Sequence, residues 1–334
     1  MFKKVYYIKK DIRNVTEVYY NIIFAALRNN GADIIGIEEH KPLTRLRADK
    51  DDFFLVTGML SFLLIYLKGY RNFIFWFQGI APEEVYMTTK SRWMRIEMSL
   101  IERFALRKCK YKIGVSKYQF NHFEKKYKIN FDWEKVFIMP CFNSKFSPEI
   151  FSNEEKYKKD IFCYAGGMQA WQGFDDILSL YSKIEKKNDK AFLKILSKEL
   201  DIARKKIENY NIKNYSLDYV PLERVSAELA ECKYGFIIRE DMIINNVATP
   251  TKLAAYVGNG IIPIFTSAIH FYRDLAKEYK YLCCIGSPTD VEPILKLMEM
   301  PINPVELQSE YRRLFDDHFT TSKYIAKLTN FFKR

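Results

Sequence analysis

The feature that most constrains this chain is a regular alternation of short apolar runs with longer helical stretches. Twelve runs rich in β-branched and aromatic residues recur along the sequence, and most lack polar alternation. Such runs are typical of strands covered on both faces, and their spacing predicts parallel, doubly wound sheets of the α/β class. The predicted strands are residues 5–8, 33–38, 53–57, 73–77, 112–115, 136–139, 161–165, 192–196, 216–220, 234–238, 261–265 and 281–284.

A polar segment divides this series into two sets of six strands. It spans residues 143–159 and contains Pro148. The length of the chain, 334 residues, is sufficient for two domains of ordinary size. We therefore predict a first domain over residues 1–150 and a second over 151–315. A helix over residues 316–334 is expected to pack back across the interdomain face. Residues 84–107 are predicted to form one long helix.

Cysteine usage and the apolar segments indicate the compartment. The six cysteines show no CxxC spacing, which favours free thiols in a reducing environment. The N-terminus enters a strand without an apolar leader, and the longest nearly apolar stretch, 53–67, is shorter than the roughly 20 residues of a membrane span. We expect a cytoplasmic protein.

Positive charge is concentrated in the first part of the chain. Residues 1–150 hold 26 basic and 16 acidic residues, whereas the remainder holds 27 and 25. Residues 90–112 are both basic and aromatic. They are either an ordinary helix with a charged outer face or a surface that contacts anionic lipid headgroups. The second interpretation predicts peripheral contact with the inner face of the cell membrane.

Two segments could hold an anion. Gly166 and Gly167 end a predicted strand shortly before a helix, where backbone amides could approach a phosphate, although such glycines often serve turn geometry alone. Arg239 ends another strand, and Lys252 lies in the first turn of the helix opened by the Thr249-Pro250 pair. A cation opposes the dipole at a helix N-terminus, so an anion sharing the site would explain Lys252. Thr249 is predicted to be the N-cap.

Together these segments resemble the donor-binding half of family-4-like GT-B glycosyltransferases. The resemblance covers roughly residues 110–265 and is strongest to the capsule and lipopolysaccharide subgroup, where Ser/Thr-Pro-x-Lys occurs. The matching motifs, in order, are Gly-Val-Ser-Lys at 114–117, Ile-Met-Pro-Cys-Phe-Asn at 138–143, the glycine turn at 164–173, Tyr-Val-Pro at 219–221, and Thr-Pro-Thr-Lys at 249–252 followed by Gly-x-x-Pro-Ile at 260–264.

The resemblance implies a fold, an activity and a donor site. The fold would be GT-B: two Rossmann-like domains facing a central cleft, with the C-terminal helix returning toward the N-terminal domain. The activity would be hexosyltransferase-like transfer from a nucleotide-diphosphate sugar, UDP- or GDP-linked, to a saccharide or lipid-linked saccharide in surface polysaccharide synthesis. Arg239 and Lys252 would stabilise the leaving diphosphate without a metal or other cofactor. The remaining donor-site residues would be Gly166, Gly167, Gln172, Val220, Glu240, Thr249, Pro250 and Thr251.

The sequence departs from the family pattern at three positions. The two family glutamates fall at Val247 and Ala255, and the lysine after the glycine turn is Gln172. Glu240 and Asp241 are candidates to replace the missing carboxylates, or they belong to a solvated loop.

Acceptor-side residues are predicted at strand ends in the first domain. Gln78 and Gly79 follow one strand, and Asn14 and Thr16 follow the first. Glu83 is a candidate general base, although a carboxylate at a helix N-terminus also suits the dipole without catalysis.

Three other functions bear comparison with sugar transfer. An epimerase-like enzyme of the same shape and an inactive, transferase-like partner subunit both remain compatible with the missing glutamates. Nucleic-acid binding is disfavoured, because basic residues interleaved with exposed aromatics on a sheet face, or a known module, are not apparent.

Overall fold

The computed structural model describes residues 2–12, 16–38 and 47–334. The chain divides into two compact units. The first comprises Met1–Pro140 together with Thr320–Arg334, and the second comprises Cys141–Phe319.

The first unit contains one six-stranded sheet, in which every strand pair is parallel. Its strands are β1 (Lys4–Ile8), β2 (Asp33–Ile37), β3 (Phe53–Val56), β4 (Asn72–Phe77), β5 (Tyr111–Gly114) and β6 (Val136–Ile138). Its first five helices are α1 (Glu17–Arg28), α2 (Met59–Leu67), α3 (Ala81–Thr89), α4 (Arg92–Lys108) and α5 (Lys117–Tyr127). The strand order is β2-β1-β3-β4-β5-β6. The central strands β3 and β4 are buried along their whole length, which explains their unbroken apolar runs.

The second unit repeats this architecture. Its strands are β7 (Ile161–Ala165), β8 (Phe192–Leu196), β9 (Tyr215–Asp218), β10 (Tyr234–Ile237), β11 (Ile262–Thr266) and β12 (Cys283–Ile285). Its helices are α6 (Glu155–Lys158), α7 (Phe174–Lys187), α8 (Leu200–Asn209), α9 (Leu222–Leu229), α10 (Ile243–Val247), α11 (Lys252–Gly258), α12 (His270–Leu275), α13 (Glu292–Glu299) and α14 (Pro304–His318). The parallel sheet has the order β12-β11-β10-β7-β8-β9. All twelve predicted strands are present, and the doubly wound α/β class is confirmed.

The predicted single helix over residues 84–107 is wrong, because the chain breaks between α3 and α4. Lys90 adopts a left-handed conformation, with φ of 56°, and caps the end of α3. The next residue, Ser91, starts α4 by accepting a hydrogen bond from the Met94 amide at 3.3 Å. A left-handed residue followed by a serine N-cap ends one helix and starts another.

The chain passes between the units at Pro140/Cys141, ten residues before the predicted boundary at 150. The polar segment after Pro140 is held on the second unit. The Cys141 amide donates to Thr249 Oγ1 at 2.9 Å, and the Ser147 amide donates to the Gly258 carbonyl at 3.0 Å. The Tyr157 hydroxyl donates to the Gly260 carbonyl at 3.1 Å. These bonds fix the segment to α11 and to the loops on either side of it.

The C-terminal region forms two helices that belong to different units. After α14, a last helix, α15 (Thr321–Phe331), packs on α1 in the first unit. Asn30 Nδ2 donates to the Thr329 carbonyl at 3.0 Å, and Phe332 makes ring contacts with Phe2 and Tyr111.

Candidate functional site

The strand order of the second sheet identifies where a ligand would bind. From β7 the chain proceeds outward to β8 and β9, and then returns to β10 on the other side of β7. In open parallel sheets, ligands bind at the carboxyl ends of the strands where the order reverses. The loops that follow β7 and β10 meet at this switch point. They carry the predicted glycine turn and Arg239, respectively.

The glycine turn after β7 allows side chains and backbone to approach closely. A Cβ atom at Gly166 would lie 2.7 Å from Lys252 Nζ, so a side chain there would push that ammonium group out of its present position. Gly173 has φ of 63°, and a Cβ atom there would lie 2.5 Å from the Ile238 carbonyl oxygen. Gly173 is therefore required by both close approach and backbone conformation, whereas Gly166 leaves space for the Lys252 side chain.

Arg239 is buried at the end of β10, with only 4% of its surface exposed. Its guanidinium Nη1 donates to the Trp171 carbonyl in the loop after β7. Its main-chain amide donates to Thr266 Oγ1 at 3.0 Å, which fixes the backbone. The Nε atom is buried without a hydrogen-bond partner. Because buried donors are rarely left unpaired, this guanidinium has unused capacity to bind an acceptor.

Lys252 lies against the same turn. Its Nζ atom donates to Gln172 Oε1 at 3.0 Å and lies 4.1 Å from the centroid of the Tyr164 ring. The residue as a whole is half-buried, but its ammonium group is closely surrounded by protein. Desolvation, and after it the charge of Arg239, hold the pKa of Lys252 well below its usual value. Burial also lowers the pKa of Arg239.

The two cations have no acidic counterpart in the part of the chain that the structure describes. No carboxylate there forms an ion pair with either side chain. Burying like charges together without a partner is costly, so such an arrangement is maintained where an anion completes it. Arginine and lysine beside backbone amides can bind a phosphate or diphosphate, and can stabilise charge that develops on a leaving group.

The neighbouring predicted donor residues have varied environments. Thr249 is buried and is not the N-cap of α11: that helix begins at Lys252 with Thr251 as its N-cap, while the Thr249 hydroxyl accepts the Cys141 amide. Pro250 accepts a hydrogen bond from the Tyr272 hydroxyl through its carbonyl. These contacts hold the segment that carries Lys252.

The other donor-side residues lie at or near the same sheet edge. Gly167 follows Gly166, and its carbonyl accepts the Tyr164 hydroxyl. Glu240 is exposed, and its carbonyl accepts Asn245 Nδ2 at 3.0 Å. Val220 is half-buried after β9, two strands from β7. Of the predicted residues, the structure therefore brings Gly166, Gln172, Arg239 and Lys252 together.

Glu83 belongs to an ionic cluster in the first unit. It is 7% exposed, and its carboxylate oxygens lie 2.8 and 3.0 Å from Lys126 Nζ. Arg95 and His122 lie 3.6 and 3.9 Å away. A carboxylate held in this way is typical of a structural ion pair, and a role as general base stays a prediction.

Three of the four predicted acceptor-side residues, Gln78, Gly79 and Thr16, lie in loops that follow strands of the first sheet. Gln78 is exposed immediately after β4, and the Gly79 carbonyl accepts Gln119 Nε2 at 2.7 Å. Thr16 is the N-cap residue of α1, and its hydroxyl donates to the Asp11 carbonyl at 3.3 Å. Asn14 lies outside the described residues.

Sequence reasoning did not identify Tyr164 and Trp171 as site residues. Tyr164 provides the ring beneath Lys252, and Trp171 provides the carbonyl that holds Arg239. Both lie in the quoted glycine-turn motif, and an aromatic residue beside a predicted cation would have been the available signal.

Residues 2–12, 16–38 and 47–334 contain no group of three or more histidine, cysteine or acidic side chains placed to hold a metal ion. None of their helices combines the length and the apolar character needed to cross a bilayer.

Comparison with known proteins finds similarity in structure only. No protein-family model and no curated protein matches the chain. HepE from Anabaena, solved with UDP and glucose, superposes with a TM-score of 0.70 over 100% of both chains at 9% identity. A glycosyltransferase from Rickettsia africae gives 0.64 over 100% of this chain and 99% of its own, at 10% identity.

TarM from S. aureus, solved with UDP, gives a TM-score of 0.61 at 16% identity. The superposition covers 87% of this chain but only 57% of TarM, so the chain spans a little over half the length of that protein. At these identities the likeness shows the fold alone. The chain has the fold of the GT-B glycosyltransferases.

Proposed function

We propose that this protein is a glycosyltransferase that moves a sugar from a nucleotide-diphosphate donor to a saccharide acceptor. One observation carries the proposal: Arg239 and Lys252 meet at the switch point of a Rossmann-like sheet with no carboxylate to neutralise them in the described chain. A diphosphate would supply the missing negative charge, and it is the leaving group of sugar transfer.

The cations would act mainly as that leaving group forms. As the bond between the sugar and the diphosphate breaks, negative charge increases on the phosphate oxygens. The guanidinium of Arg239 could bind them as a fork and Lys252 as a point charge, next to the amides of the glycine turn. Cations already fixed in place stabilise this charge without reorganisation, which supports a reaction that needs no metal.

The donor is proposed to be UDP-linked. HepE and TarM were both solved with UDP, and their folds resemble that of this chain. The family-4-like motifs at 164–173 and 249–252 favour a hexosyltransferase of surface polysaccharide synthesis, acting on a saccharide or lipid-linked saccharide at the inner face of the membrane.

The missing family glutamates favour a second candidate, a nucleotide-binding but inactive partner subunit. Val247 is buried and apolar, and Ala255 carries no functional group, so neither position can hold the donor ribose or sugar through a carboxylate. This candidate predicts UDP binding without transfer.

The test combines binding with turnover. UDP-, GDP-, dTDP- and CMP-sugars are compared by thermal shift, because a ligand that binds only the folded state raises the melting temperature. UDP-sugars should give the largest shift. Saccharide acceptors are then added with and without EDTA, and release of UDP is measured. Transfer that resists EDTA supports the metal-independent enzyme, and binding without release supports the inactive subunit.

The contribution of Lys252 to donor binding is tested with a substitution at this residue and a matched control. Lys252→Ala should retain the circular dichroism of the wild type and lose most of the UDP-sugar shift. Lys186→Gln, which removes an exposed charge at the end of α7, should keep it. An undiminished shift in Lys252→Ala would mean that the phosphate site lies elsewhere.

A further inference from the structure

A cavity of about 520 Å³ lies against α4 in the first unit. Four basic side chains line it: Arg92, Arg95 and Arg103 from α4, and Lys126 from α5. Ile96 and Leu100 form an apolar part of its wall. The cavity therefore offers cationic and apolar surface to the same occupant.

The cavity keeps part of its positive charge unpaired. Lys126 is neutralised by Glu83 and Glu102, and Arg95 lies 3.6 Å from Glu83. Arg92 and Arg103 are exposed, and no carboxylate in the described chain pairs with either. An anionic group entering the cavity would meet two free guanidinium groups, which suit phosphate oxygens.

The apolar wall of the cavity continues onto the surface. Trp93, Ile96 and Leu100 are spaced three and four residues apart along α4, and Trp93 and Leu100 are 70% and 63% exposed. Residues at this spacing lie along one side of a helix. On the same helix five exposed residues are basic and one, Glu97, is acidic. The outer side of α4 is thus an apolar stripe bordered by positive charge.

Helix α2, which packs on α4, carries an exposed apolar stripe of its own. It packs on α4 through ring contacts of Phe62 and Tyr66 with Phe104. Its opposite side presents Leu60, Leu64 and Leu67, each more than half exposed. Eight of its nine residues are apolar or aromatic, so it is apolar all round. A helix of this kind normally has its outer side covered as well.

We infer that the outer face of α4, defined by Trp93, Ile96 and Leu100, docks on an anionic phospholipid membrane, with the cavity holding a lipid phosphate headgroup and the exposed leucines of α2 adding apolar surface nearby. Apolar side chains would enter the interfacial layer while Arg92 and Arg103 bind phosphate. Charge identifies the occupant, because a second copy placed symmetrically would bring the same basic residues against each other. The inference concerns the first unit and does not depend on sugar transfer.

The experiment measures co-sedimentation of the full chain with vesicles of phosphatidylcholine, with and without phosphatidylglycerol. The wild type should bind only the vesicles with phosphatidylglycerol, and less at high salt, because exposed charges are screened. Arg92→Gln/Arg103→Gln should lower the partition coefficient roughly 30-fold, the effect of two basic residues near an anionic surface. Trp93→Ser/Leu100→Ser should lower it by a similar factor, through lost apolar burial.

Matched controls remove equivalent groups from the second unit. Lys186→Gln/Lys187→Gln changes the net charge equally, and Ile202→Ser/Val305→Ser removes two exposed apolar side chains. Both should bind vesicles like the wild type. The inference fails if the wild type ignores phosphatidylglycerol, or if the α4 variants bind no worse than the controls. It also fails if sedimentation velocity shows a dimer that Trp93→Ser/Leu100→Ser dissociates while no vesicle binding occurs.

Discussion

Lys252 and Arg239 lie beside each other in surroundings that lower the pKa of both side chains. The hydrogen bond to Gln172 and the ring of Tyr164 both stabilise the charged form of Lys252. Desolvation has the larger effect, because the pKa of Lys252 is lowered. Residues that are unfavourable in the empty protein are typical of sites where a ligand supplies the compensation. In the absence of ligand, we therefore expect the protein with Lys252 to be less stable than a variant with a neutral side chain at this position.

Lys252→Met should accordingly raise the free energy of unfolding of the ligand-free protein, by about 1 kcal/mol at pH 7. The gain should shrink as the pH rises toward the ordinary pKa of lysine, where the unfolded chain also loses the proton. Urea denaturation at several pH values measures it, with Lys186→Met as the exposed control. A loss of stability in Lys252→Met would show that the lysine is structural.

Glu102 is a second residue whose environment sets its chemistry. It is fully buried, and Tyr127 donates to its Oε2 atom at 2.6 Å while its Oε1 atom has no partner. Burial raises its pKa to about 7, against the opposing effect of Lys126. Between the unfolded and folded pKa values the folded chain binds more protons than the unfolded one. This residue therefore makes stability fall as the pH rises through that range.

Glu102→Gln, which is neutral at every pH, should remove this dependence. Relative to the wild type, its free energy of unfolding should increase between about pH 5 and pH 8 by up to about 3 kcal/mol. Thermal or urea denaturation across this range checks the trend. His122, whose pKa burial lowers, is present in both proteins, so comparing them isolates Glu102. A difference that stays constant with pH would contradict the assignment.

Among single residues, the sequence predicted those whose chemistry is unusual for their position. Lys252 at a helix start and Gly166 after a strand were both identifiable, and the structure places them together. The bond from Cys141 to Thr249 and the ring of Tyr164 under Lys252 were not predictable, because they depend on segments distant in sequence.

Helix α15 belongs to the first unit because of its packing and not because of its position in the sequence. It packs on α1 and buries Tyr324, Leu328 and Phe331, although it follows the whole second unit in sequence. The sequence predicted a helix over residues 316–334 that packs across the interdomain face, and the structure assigns Thr320–Arg334 to the first unit.

Leu328→Ala should therefore destabilise the first unit, by about 2–5 kcal/mol as for other buried leucines. Hydrogen exchange of the amides in α1 and β1 would report the loss, while those in β7 and β10 should be unaffected. Asn330→Ala, at an exposed position of the same helix, is the control. Equal protection of α1 in Leu328→Ala and the control would contradict this packing.

Strands were easier to predict than the joints between elements. Buried parallel strands are continuous apolar runs, so all twelve were visible in the sequence. The break between α3 and α4 was not, because it depends on a lysine with φ of 56°, a conformation that composition does not indicate. The passage between units at Pro140 depends likewise on hydrogen bonds from Cys141 and Ser147 to distant residues.

On the scale of the whole molecule, each unit has a parallel sheet with its own switch point, but their contents differ. The second unit brings Arg239 and Lys252 to its switch point, between β7 and β10. The first presents Gln78 and Gly79 at its strand ends and a basic, apolar surface on α2 and α4. This division agrees with the proposed donor site in the second unit and with the proposed acceptor and membrane contacts in the first.

The most direct test of the proposed diphosphate site is calorimetric titration of UDP and uridine into the wild type and Lys252→Ala. The two ligands share a nucleoside and differ in the diphosphate, so the comparison isolates the contact between phosphate and lysine. The wild type should bind UDP far more tightly than uridine. Lys252→Ala should weaken UDP binding by roughly 10- to 100-fold, the effect of one charge-assisted hydrogen bond, and leave uridine nearly unchanged. Equal weakening of both ligands, or of neither, would contradict the site.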